Sequence, residues 1–145
     1  MPFSESDLVD YIRSARLAIV SSLGSGGGPQ SALVGIGVTD DLNIIFDTTT
    51  DTRKHANLTR DPRVSVVVAG PSEQTLQYEG LAAPVSTSRP EDLAIREAYY
   101  LSWPDGRQRL VWPNLAYWRI KPTWARYSDY ARGPLIVQFF SAKSV

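Results

Sequence analysis

The spacing of apolar residues changes several times along this chain, and each change marks an element. Leu8, Ile12 and Ala15 recur at helical spacing behind Ser4-Glu5-Ser6-Asp7, a capping-box pattern with Asp in place of Glu, and predict a helix over about Ser6–Ser14. Leu17–Leu23 reads as a short strand, and Gly24-Ser25-Gly26-Gly27-Gly28-Pro29 as a turn. No Lys-Ser/Thr pair and no helix follow those glycines, so a hairpin connection explains them better than a phosphate loop. In Gln30–Val38, residues Ala32, Val34, Ile36 and Val38 alternate with Ser31, Leu33, Gly35 and Gly37, which predicts one strand. Gly35 and Gly37 leave one face bare. That face suits either the close approach of a ligand or second chain, or a barrel bend. Asn43–Asp47 pairs back across the Thr39-Asp40-Asp41 turn.

A short helix follows, and then Val64–Ala69, an apolar run whose continuity predicts a buried strand. After Gly70-Pro71-Ser72, the stretch Thr75–Pro84 alternates, with Leu76, Tyr78 and Ala82 on one face. Ser88-Arg89-Pro90-Glu91 has the form of a second capping box and opens a helix to about Leu101. Arg107–Pro113 reads mostly as loop. Leu115–Lys121 reads as a strand, with Ala116, Trp118 and Ile120 on one face; Pro122 interrupts it and Trp124–Tyr127 continues it. Leu135–Phe140 is a last strand or a tail docked on a partner. Six or seven strands with two or three short helices describe a mainly β fold, a small β-barrel with helices at its ends. No repeat, linker or low-complexity segment divides the chain, so residues 1–145 read as one domain.

The chemistry concentrates between Phe46 and Val64. A strand ends in Asp47-Thr48-Thr49-Thr50, and Asp51 or Thr52 is placed to cap the helix that follows. Arg53 and Lys54 then fall in its first turn, where the macrodipole disfavours cations. Free N–H groups, hydroxyls, a guanidinium and an ammonium at one helix start suit an oxyanion. The alternative is two solvated surface charges.

The stretch TTTDTRKHANLTRDPRVSVVV resembles the pyridoxamine 5'-phosphate oxidase-like flavoproteins, the FMN-binding split-barrel family. Their pattern is a strand, a Thr-rich turn, Ser/Thr-Arg-Lys, an Asn-Leu helix, and Asp-Pro-Arg-Val opening the next strand. The resemblance is strong from about Arg16 to Val85 and weaker beyond. It implies FMN as cofactor, with its phosphate at Thr52, Arg53 and Lys54. It also implies flavin contacts from Asp47 and Thr48, from the strand Ala32-Leu33-Val34-Gly35, and from Gln74, and a supporting role for Asn57 in the phosphate site or the helix. The family's members are usually homodimers with the flavin between subunits. The many aromatics, the bare glycine face and the apolar C-terminal segment are consistent with that. The vitamin-B6 oxidases have Arg and Lys at the ends of the strand matching Ala32–Gly37, and an Arg-x-His-x-Arg type segment near the C-terminus. Both are missing here, which points to a substrate other than pyridoxamine phosphate.

Composition narrows the alternatives. Zero net charge and a pI near 6.6 argue against a broad nucleic-acid or anionic-membrane footprint. The chain has no Cys and one His, His55, which excludes thiolate chemistry, disulfides and a multi-His metal site within one chain. His55 follows Lys54 on the helix, within reach of a phosphate there, but reads more simply as a surface residue. No apolar run approaches the roughly 18 residues of a membrane helix, and the N-terminus lacks a signal-peptide pattern, so a cytoplasmic protein is expected. Tyr99, Tyr100, Trp103, Trp112, Tyr117, Trp118, Trp124 and Tyr127 read as core or subunit contact, or as the walls of a flat pocket. Arg119, Lys121 and Arg126 read as solvated strand faces, or as cations for an anionic substrate. Three functions remain: an FMN-dependent oxidoreductase on a small molecule, a deazaflavin-dependent enzyme of the same fold, and a non-catalytic flavin- or heme-binding module.

Overall fold

The computed structural model describes residues 2–131 and 133–140. Helix α1 (Glu5–Ala15) starts where the sequence signals it. The Ser4 side chain accepts from the Asp7 N–H, and the Asp7 carboxylate accepts from the Ser4 N–H at 2.8 Å. Arg16, in the left-handed region at φ 67°, ends the helix. The buried stripe Leu8, Val9, Tyr11 and Ile12 closes one end of the core.

The strands are β1 (Leu17–Leu23), β2 (Pro29–Gly35), β3 (Gly37–Val38), β4 (Ile44–Thr49), β5 (Arg63–Ala69), β6 (Gln74–Val85), β7 (Leu115–Asp129) and β8 (Leu135–Phe139). They form one antiparallel sheet in the order β2-β1-β5-β6-β7-β4-β3, with β8 also on β7. The segment expected as one strand over Gln30–Val38 is two. Its first half pairs with β1 and its second with β4, so it supplies both edges of the sheet. Ile36 joins the halves, fully buried, with its N–H on the Arg16 carbonyl at 2.8 Å. The sheet therefore curls into the split barrel around Phe46, Val66, Leu76, Tyr78 and Ile120.

Four other expectations change. Over β5 the apolar run alternates instead of being wholly buried: Val64, Val66 and Val68 face the core, while Val67 is 42% exposed. Pro122 does not break β7. It lies opposite Gly80 at a register shift, where an irregular ladder tolerates a missing N–H. Ser88 does not cap a helix. The Ser86 hydroxyl accepts from the N–H groups of Ser88 and Arg89, a 3₁₀ turn covers Pro90–Asp92, and α3 (Leu93–Ser102) starts after it. The expected loop over Arg107–Pro113 belongs mostly to a 3₁₀ helix, Pro104–Val111.

The face left bare by Gly35 and Gly37 is covered by this same chain. A Cβ on Gly37 would lie 2.5 Å from the Tyr99 Cα, and one on Gly35 would lie 2.7 Å from the Trp103 indole. The Trp103 Nε1–H donates to the Ile36 carbonyl at 3.0 Å, and the Arg16 guanidinium stacks on its ring. Helix α3 thereby docks on β3 and β4 over a second apolar cluster: Ile45, Val85, Ala98, Tyr99, Tyr100 and Tyr117. Trp118 and Tyr127 are buried in the main core, so most of the aromatics serve packing.

Candidate functional site

Helix α2 (Arg53–Arg60) begins at Thr52, whose extended backbone (φ −85°, ψ 154°) leaves its hydroxyl over the first turn. Thr52, and not Asp51, is the cap. Its Oγ1 accepts from the His55 N–H at 3.3 Å and donates to the Thr49 carbonyl at 3.0 Å. The Thr48 hydroxyl lies 2.9 Å from it. The bends of the threonine corner are thus held by their own hydroxyls. The N–H groups of Arg53 and Lys54 remain at the open, positive end of the helix.

A cleft of about 270 Å³ opens there, lined by Val20, Ser22, Gln30, Ser31, Ala32, Thr52, Arg53 and Lys54. Arg53 is exposed and Lys54 half-buried, and among the described residues neither has a carboxylate within ion-pair distance. Burial pushes the Lys54 ammonium below its usual pKa, partly offset by the nearby charge of Asp47. An anion in the cleft would relieve that desolvation. Larger hollows exist, one of about 540 Å³ between α1 and α3. Its cations Arg13 and Arg119 share it with Asp40, Asp41 and Glu97, an arrangement that does not favour an anion.

Asn57 is buried and faces protein. Its Nδ2 donates to Ser22 Oγ (3.0 Å) and Gln30 Oε1 (2.8 Å), and its Oδ1 accepts from Arg60 (3.1 Å). It fastens α2 to the β1–β2 hairpin, where Ser22 and Gln30 are directly paired. Asn57→Ala is expected to lower stability by about 2 kcal/mol, because it strands buried polar partners; a urea melt reads the change.

The other expected site residues divide. Ala32 lines the cleft, Leu33 is 67% exposed on the outer face, Val34 is in the core and Gly35 lies under Trp103. A single ligand can therefore follow this strand only along its backbone. The Asp47 carboxylate points away from Thr48 and accepts from Arg109 Nε at 2.7 Å. Gln74 is not brought to the cleft within one chain. It starts β6, accepting from the Ser72 N–H, while α2 leads into Arg63 at the other end of the β5–β6 hairpin, roughly 20 Å along the strands.

His55 is not a surface residue. It is half-buried, its ring edge-on to Trp118, and its Nδ1 accepts from the Trp118 Nε1–H at 3.1 Å. Sequence reasoning missed this pair, and it missed Arg109, which lies in the segment read as loop. Ser22 and Gln30 left a faint signal: two polar residues facing each other across a hairpin beside apolar neighbours.

Solved structures share the fold. A heme-binding protein of Mycobacterium smegmatis superposes with a TM-score of 0.77 at 16% identity, over 96% of this chain and 60% of that one. This chain thus spans about three fifths of that protein's length. A pyridoxamine 5'-phosphate oxidase-related, FMN-binding protein of Nostoc punctiforme gives 0.68 at 14% identity, over 96% of this chain and 97% of that one. A heme storage protein of Vibrio cholerae gives 0.70 at 12% identity, over 84% and 91%. No curated protein matches the sequence. The family described as pyridoxamine 5'-phosphate oxidase matches residues 5–129, most of the chain, and the chain belongs to that family.

Proposed function

We propose that this protein binds FMN and works as an oxidoreductase on a small molecule other than pyridoxamine phosphate. The observation that carries the reading is the pair Arg53 and Lys54, unpaired by any described carboxylate, at the Thr52-capped start of α2 beside a cleft. The donor set fits a phosphate monoester: two cations and two free backbone N–H groups, one cation already partly desolvated. Arg53 supplies planar, bidentate donors and Lys54 a point charge. Ala32 lines the cleft and Thr48 meets the Thr52 cap, and the backbone running on from them, at Asp47–Thr48 and Ala32–Gly35, would flank the ring system. Bound FMN would supply the redox chemistry, and the chain would hold it, exclude water and orient the substrate.

The same reading includes a homodimer. Leu33, Ile19 and Val67 stand directly opposite one another across β2, β1 and β5, and all three are more than 40% exposed. This apolar row adjoins the cleft through Ala32 and needs cover.

Heme is the alternative suggested by two structural neighbours, and the chemistry of His55 opposes it. An indole N–H only donates, so Nδ1 must be the accepting nitrogen, and the neutral ring keeps its proton on Nε2. While that bond stands, the single histidine has no free nitrogen lone pair for iron.

The deciding experiment is to release and identify the cofactor of freshly purified protein. The expected result is FMN near one per chain, by mass and absorbance. A deazaflavin would redirect the cofactor assignment while leaving the phosphate site in place. Heme, or failure of the apoprotein to bind added FMN, would overturn the proposal.

A further inference from the structure

One charged group beside the cleft has the wrong sign for an anion site. Asp47 lies on β4 immediately before Thr48, whose hydroxyl meets that of the α2 cap, and its charge reaches Lys54. A free carboxylate there would draw Lys54 to itself and repel a phosphate. What occupies it comes from 62 residues further along: Arg109, on the 3₁₀ helix Pro104–Val111, donates from Nε to Asp47 Oδ2 at 2.7 Å. A second Arg109 nitrogen donates to the Tyr99 hydroxyl at 3.0 Å, which fixes the guanidinium from α3. The two side chains are only 16% and 22% exposed, so water screens the pair weakly. Tyr99 stays protonated, since burial raises its pKa far above neutral, and adds no negative charge.

We propose that Arg109 is a positioning residue for the phosphate site. By holding Asp47 in an ion pair on the α3 side of β4, it leaves Lys54 free to engage the cofactor phosphate. The inference rests on the phosphate reading of the cleft. It assigns the segment 104–111 a role in cofactor affinity, although that segment supplies none of the cleft's lining.

The test compares dissociation constants for FMN and riboflavin, which differ by the phosphate alone. Wild type, Arg109→Gln, Arg109→Lys, Asp47→Asn and the double variant Asp47→Asn/Arg109→Gln are titrated by flavin fluorescence. The preference for FMN over riboflavin is expected to fall roughly tenfold in Arg109→Gln, as for an uncompensated charge near the site. It should be largely kept in Arg109→Lys and return to the wild-type value in the double variant. Asp47→Asn alone is expected to hold or raise the preference, and it keeps the test decisive if Arg109→Gln does not fold. A loss caused only by disturbed packing would weaken both flavins alike and would not be rescued by Asp47→Asn. That pattern, or a lower preference in Asp47→Asn, would overturn the inference and leave the phosphate site standing. A wild-type protein that binds FMN no tighter than riboflavin would remove both.

Discussion

Replacing Arg53 and Lys54 together by alanine is expected to weaken FMN binding by about a hundred- to ten-thousandfold. Hydrogen bonds to charged groups contribute about 1.5–3 kcal/mol each, and every 1.4 kcal/mol is a factor of ten. Two such side chains aimed at one phosphate account for that range. Riboflavin affinity should change little, because the ring contacts available near the cleft are backbone. Folding should not suffer. Arg53 is exposed, and two cations in a first helical turn oppose the macrodipole, so their removal is neutral or slightly stabilising. Titration of the apoprotein with both flavins, alongside a thermal melt, reads all three expectations. An unchanged FMN affinity in a folded variant would show that the phosphate, if bound at all, sits elsewhere.

A large loss of stability is expected from one added methyl group. In Gly37→Ala the new Cβ would sit 2.5 Å from the Tyr99 Cα and 2.9 Å from the Ala98 carbonyl oxygen. Both are backbone atoms of α3, so no side-chain rotation relieves the clash and the helix must lift. The expected cost is about 3 kcal/mol, the upper end for overpacking, and a fall in melting temperature of roughly 10 °C. Gly35→Ala should be milder, because its obstacle is the Trp103 side chain, which can turn aside at the loss of its bond to the Ile36 carbonyl. Equal melting temperatures for Gly37→Ala and wild type would mean that α3 does not pack this closely on β3. The pair of variants also separates two explanations of these glycines, since a ligand-facing glycine would lower affinity before it lowered stability.

Part of the site was legible because its determinants are close in sequence. Thr52 lies three residues before the N–H it caps, and Arg53 and Lys54 adjoin it, so one turn of helix sets where all three lie. Asn57 was readable as a motif member but not as a clamp, since its partners Ser22 and Gln30 are 35 and 27 residues away. The His55–Trp118 bond spans 63 residues and the Arg109–Asp47 pair 62, and no local pattern signals either. The same limit explains Val64–Ala69. There Ser65 is the one local mark, placing Val64, Val66 and Val68 inward, but the row Leu33–Ile19–Val67 exists only once β1 pairs on both sides.

The sequence by itself determined the elements whose ends are set by short-range hydrogen bonds or by alternation: α1 behind its capping box, β1 between Arg16 and Gly24, α2 behind a cap at Asp51 or Thr52, and the inward set Leu76, Tyr78 and Ala82 of β6. Only the tertiary structure decided that Gln30–Val38 is split at Ile36 to serve both edges of the sheet, that a helix from the same chain covers the glycine face, and that an arginine from a distant 3₁₀ helix occupies Asp47. The physical reason is the range of the interactions. Caps and periodicity act within a turn or two, whereas barrel closure, close packing on glycine and ion pairing in a half-buried site depend on which distant segments the closed sheet brings together.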